Sequence, residues 1–73
     1  MQFTDLVDAV HDIKRTVESD GLTFVPSAHT ISISDEEYAE VQADEFLTEL
    51  PASAVDDLAA KKVLGVNINV VAT

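Results

Sequence analysis

The chain has no cysteine at all among its 73 residues. That excludes a disulfide framework and a thiolate metal site, so the fold must be held by its core. Lysine and arginine together number only four, against 14 Asp and Glu, leaving a net charge of −10 and a pI near 4.1. Four cations cannot neutralise a phosphate backbone, which disfavours direct binding to DNA, to RNA or to an anionic membrane. Two glycines are too few for a phosphate-cradling loop. Tryptophan is absent, and three Phe and one Tyr are the large anchors available. No apolar run approaches the ~20 residues of a membrane span. Met1-Gln2-Phe3-Thr4-Asp5 lacks a basic n-region, so no signal peptide is read there. The expectation is a soluble, cytoplasmic protein, in the host cytoplasm if the source is viral.

What is present is enough for a small fold. Apolar residues make up 47% of the chain, mostly Val, Ala, Leu and Ile, and they are periodic, which argues against disorder. A chain of this size buries roughly 60% of its unfolded surface, so its stability should be modest.

The stretch Thr30–Glu49 organises the rest. Ile31 and Ile33 alternate with Thr30 and Ser32, the period of a half-buried strand. Ser34 then opens a helix, and Glu37 three residues later completes the S-x-x-E capping box. Asp35 and Glu36 fall in the first turn, where the helix dipole favours them. The apolar stripe of this second helix is Ala39, Ala43, Phe46, Leu47 and Leu50, with Tyr38 and Val41 partly off it and room for a break near Gln42.

Upstream, Leu6, Val10, Ile13 and Val17 recur at helical spacing. They predict a first helix from about Asp5 to Asp20, with Thr4 as N-cap and Gly21 as the left-handed stop. Leu22–Val25 reads as a short strand, joined by the turn Pro26–His29 to the strand Thr30–Ile33. Pro51 ends the second helix, and Ser53 begins a third. Lys61 and Lys62 suit the C-terminal end of that helix, and Gly65 stops it. Val66, Ile68 and Val70 alternate with Asn67 and Asn69 as a last strand. The predicted order is α-β-β-α-α-β: one α+β domain over residues 1–73, with a three-stranded, mostly antiparallel sheet and helices on one face.

No motif of catalysis emerges. There is no G-x-S-x-G elbow, and DEEYAEVQADE lacks the D-x-[DN]-x-[DN]-G spacing of a calcium loop. His11 shares a helix face with Asp8, while Asp12 points elsewhere; a closed metal site needs three or four ligands. His29 is expected in a solvated turn. Glycosidase-type chemistry needs two carboxylates facing one another in a cleft, for which so small a domain has little room. The expectation is no catalysis, no cofactor and no resident metal.

The acidic run is the main clue. Nine carboxylates lie between Asp35 and Asp57, with no Lys or Arg among them. Glu37, Glu40 and Asp44 fall on one side of the second helix at i, i+3 and i+7, and Glu36, Glu45 and Glu49 widen that face. Like charges so spaced each destabilise an isolated helix by about 0.2–0.5 kcal/mol. Two readings stay open. In one, Glu36, Glu37, Glu40, Asp44 and Glu45 stand where phosphates would lie and dock on a basic, nucleic-acid-binding surface of a partner protein, with Tyr38 or Phe46 as an exposed anchor. Small phage inhibitors of the anti-restriction and anti-CRISPR types have this size and charge, an analogy of composition alone. In the other, the acids only solvate a salt-adapted structural or regulatory domain. Self-association through a strand edge, Leu22–Val25 or Val66–Val71, is a third possibility.

Val25, Pro26, Ile31, Ser34, Glu36 and Tyr38, spaced V-P-x4-I-x2-S-x-E-x-Y, resemble the small domain at the front of actinobacterial forkhead-associated (FHA) proteins. In that family such a strand feeds a helix opening S-x-[DE]-x-Y, with another helix and strand following. The resemblance covers about fourteen residues and the order of elements. This chain is more acidic, and no phosphopeptide-binding domain is read in it. What the resemblance implies is a non-enzymatic interaction domain, and it transfers no functional residue.

Overall fold

The first helix, α1 (Phe3–Ser19), starts earlier than its Thr4 cap predicts. Gln2 is the N-cap instead, and its backbone amide donates to the Asp5 carboxylate at 2.8 Å. The helix ends as Gly21 predicts. Gly21 lies at φ +79° and donates to Glu18, while the Leu22 amide reaches back to the Val17 carbonyl at 3.1 Å. These are the paired bonds of a Schellman cap. The computed structural model describes residues 1–72 of the chain.

After a single 3-10 turn at Pro26–Ala28 come strand β1 (Thr30–Ser34), helix α2 (Asp35–Gln42), a 3-10 segment at Glu45–Glu49, helix α3 (Ala52–Ala59), and strands β2 (Lys62–Val63) and β3 (Val66–Val71). The α+β class stands, with three α-helices and one three-stranded sheet. Leu22–Val25, however, is not a strand, and there is no hairpin across Pro26–His29. The sheet order is β1-β3-β2, with β3 central. β1 runs parallel to β3, from Thr30↔Asn67 to Ser34↔Val71, and β2 pairs antiparallel through Lys62↔Asn67 and Val63↔Val66. The sheet is therefore mixed, its longer ladder parallel, and the element order is α-β-α-α-β-β. Both edges of β3 are taken by β1 and β2, and Leu22–Val25 joins neither outer strand. The ring of Phe24 instead stacks on His29 at 5.4 Å.

The hairpin that does form lies between β2 and β3. Leu64 (φ +49°) and Gly65 (φ +85°) make a two-residue loop with both φ angles positive, the type I′ turn that matches strand twist. Gly65 thus turns a hairpin and does not stop α3. That helix ends at Ala59, with Lys61 at φ +61° just beyond it, and its N-cap is Pro51 in place of Ser53. Neither Lys61 nor Lys62 lies in its last turn.

All three α-helices cover the same side of the sheet. Phe3, Leu6 and Val10 from α1, Val41 from α2 and Leu58 from α3 form one buried cluster with Ile33, Val63, Val66 and Ile68. Alternation sends Thr30, Ser32, Asn67 and Asn69 to the other side, where the Asn69 side chain donates to Ser32 Oγ at 3.4 Å. Ile13 and Val17, the later half of the α1 stripe, are only half-buried.

Candidate protein-binding face

α2 begins as its capping box dictates. The Glu37 amide donates to Ser34 Oγ at 3.1 Å, and the Ser34 amide donates to the Glu37 carboxylate at 3.1 Å. Glu37 is half-buried by this exchange. One residue on, the Tyr38 hydroxyl donates to the Leu58 carbonyl at 2.6 Å, tying α2 to the end of α3. Tyr38 is half-buried, not the exposed anchor its place in the acidic run suggests.

Two further carboxylates of the run turn toward the start of α1. Glu40 meets the Met1 amine at 3.1 Å. Asp44 follows the end of α2 and caps the next segment, accepting the Phe46 amide at 3.0 Å and the Phe3 amide at 2.8 Å. Those two backbone donors, Phe46 first, hold its carboxyl below the ordinary value of 3.8. The same junction stacks Phe3 on Phe46, with centroids 6.2 Å apart. Nothing in the α2 periodicity marks Asp44 as a double acceptor. Its position just before the 3-10 segment, once the break near Gln42 is recognised, is the one available signal.

Glu36, Glu45 and Glu49 remain exposed, as do Asp56 and Asp57 on α3. Among the described residues no Lys or Arg reaches them; the one ion pair between side chains is Asp12–Arg15 at 3.4 Å on α1. Phe46 stands next to Glu45 and is 40% exposed. The six candidate residues thus divide. Glu36 and Glu45 point charge at solvent, while Glu37, Tyr38, Glu40 and Asp44 also hold the domain together.

Elsewhere, His11 is exposed on α1, and Asp12 is engaged with Arg15. His29 is half-buried against Phe24, so the solvated turn expected for it is corrected. It lines an open groove of about 360 Å³ with Asp12, Ile13, Thr16 and Val17. Sequence reading did not find that groove, since it depends on how residues 22–29 return to the sheet. Of the two strand edges expected to be open, Leu22–Val25 is not in the sheet, and β3 is its central strand. No described helix is long and apolar enough to cross a membrane. Comparison with known proteins finds no matching family, no matching curated protein and no matching solved structure.

Proposed function

We propose that this chain is a non-enzymatic acidic domain that binds another protein and occludes a basic, nucleic-acid-binding surface on it. The observation that carries this reading is the set of exposed carboxylates without internal cations: Glu36, Glu45, Glu49, Asp56 and Asp57. They occupy consecutive elements, and their field steers a cationic surface toward the domain. Phe46 supplies the apolar contact that charge alone does not. A phage inhibitor acting in the host cytoplasm, of the anti-restriction or anti-CRISPR kind, is the setting that size and charge suggest.

The test replaces residues that do no internal work. A Glu36→Lys/Glu45→Lys/Glu49→Lys variant is compared with wild type for competing duplex DNA away from a cationic DNA-binding protein recovered on the wild-type bait. Competition by wild type alone supports occlusion; equal competition by both removes the acidic face from the mechanism.

A second reading has its own support, because Asp8 and Glu18 on α1 and Asp20 just past its end are exposed, well outside the run. In that reading the acids solvate a salt-adapted domain. Melting measured from low to molar salt separates the two. A steep rise in stability favours solvation; a flat response above the screening range favours a binding face.

A further inference from the structure

Among the described residues the sheet has two outer strands, the two-residue β2 and the five-residue β1; β1 presents the longer edge, and neither is an edge expected from sequence. The Asn67 amide donates to the His29 carbonyl at 3.2 Å, and Thr30 is the register partner of Asn67. In a parallel ladder that phase turns the polar groups of Ile31 and Ile33 toward β3 and those of Thr30 and Ser32 away from it. The Ser34 amide points the same outward way, and Glu37 already accepts it at 3.1 Å. Thr30 and Ser32 are exposed, and the order β1-β3-β2 places no strand beside them.

Edges are ordinarily blunted by lysine, proline or a bulge. This one, Thr-Ile-Ser-Ile-Ser, has none of these. The groove of Asp12, Ile13, Thr16, Val17 and His29 lies at its Thr30 end. By strand alternation His29 shares the helix side of the sheet with Ile31 and Ile33, so the groove lies on that side too. His29 lines the groove one residue before β1 begins, so the groove adjoins the start of that edge. At the other end of the edge stand Asp35 and Glu36.

We infer that the outer edge of β1 accepts an extended segment of another protein, alternately apolar and basic, as a fourth strand. Charge selects the occupant. A second copy would bring its own net charge of −10 to the same line, whereas a cationic segment is attracted. Backbone bonds to Thr30 and Ser32 supply the affinity, and apolar side chains fill the groove. The inference rests on the proposed function only for the positive charge of the partner.

The test uses a capped peptide alternating Lys and Val, and hydrogen exchange read residue by residue. Saturating peptide is expected to slow the Thr30 and Ser32 amides. Ser32→Pro is expected to lower peptide affinity at least tenfold, since proline at an outward amide breaks no ladder bond yet blocks a new strand. A peptide N-methylated at alternate amides tests the same point with the protein untouched and should lose affinity to a similar extent. The Glu36→Lys/Glu45→Lys/Glu49→Lys variant should bind more weakly yet show the same Thr30 and Ser32 protection at saturation. Absence of binding, or binding indifferent to both Ser32→Pro and N-methylation, would overturn the inference and leave the acidic-face reading standing. Equal affinity of the charge-reversed variant, with protection intact, would do the reverse. Protection that grows with protein concentration in the absence of peptide would make a second copy the occupant and also overturn it.

Discussion

Replacing Tyr38 by Phe separates a structural from a recognition role for the tyrosine inside the acidic run. The hydroxyl is 2.6 Å from the Leu58 carbonyl, a short bond between segments 20 residues apart. That carbonyl also accepts the Lys61 amide at 3.0 Å, so losing the hydroxyl does not leave it without a partner. The cost is then that of a net hydrogen bond, about 0.5–1.5 kcal/mol, and not the larger penalty of an orphaned buried acceptor. The ring still packs on the core, so no cavity term adds to it. For a domain of this size ~1 kcal/mol corresponds to a fall in Tm of roughly 4–8 °C. Urea unfolding should show a lower midpoint with an unchanged slope, because the surface exposed on unfolding is the same. Unaltered Tm and midpoint would refute the bond as a tie between α2 and α3. Lost partner binding at unaltered stability would return Tyr38 to the recognition surface.

Two other substitutions follow from local geometry. Gly65→Ala should destabilise more than Gly21→Ala in thermal melts. Both sites have positive φ and carry a penalty of about 1–2 kcal/mol, but a Cβ at Gly65 would meet Pro26 Cβ at 3.0 Å and one at Gly21 meets nothing within 4 Å. Equal losses would mean that the Pro26 contact yields freely. For Asp44, a folded pKa below 3.8 stabilises the domain fully above that value, and this contribution is lost as pH falls through the folded value. Asp44→Asn should therefore be less stable than wild type near neutrality and decline less steeply in strong acid. Parallel stability curves for the two proteins would contradict the carboxylate's role.

Features that depend on neighbours in sequence were legible before the fold. The Ser34–Glu37 box, the Gly21 stop and the alternation of Val66, Ile68 and Val70 each require only a few consecutive residues, and each is present. The misreadings concern partnerships. Leu22–Val25 has β-prone residues, yet propensity says nothing about which strand a segment will pair with. Lys62–Val63 is too short to show a period, and Gly65 serves equally as a helix stop or as the second residue of a tight turn. The acidic face was legible as charge but not as a division of labour. The bonds of Asp44 to Phe3 and of Glu40 to Met1 span 41 and 39 residues, beyond any local pattern.

Placing β3 at the centre of the sheet while it is the last element in order governs how the chain can fold as it is made. Ser32 and Asn69, neighbours across the parallel ladder, are 37 residues apart. During synthesis α1 and the start of α2 can form as soon as they leave the ribosome, because their caps are local. Ile31 and Ile33 have no strand to pair with until residues 66–71 emerge. The nascent chain therefore stays open through most of its length and closes in one late step, with the loop-closure cost that slows folding. Over that interval, a net charge of −10 sets copies of the chain against one another and opposes strand pairing between them.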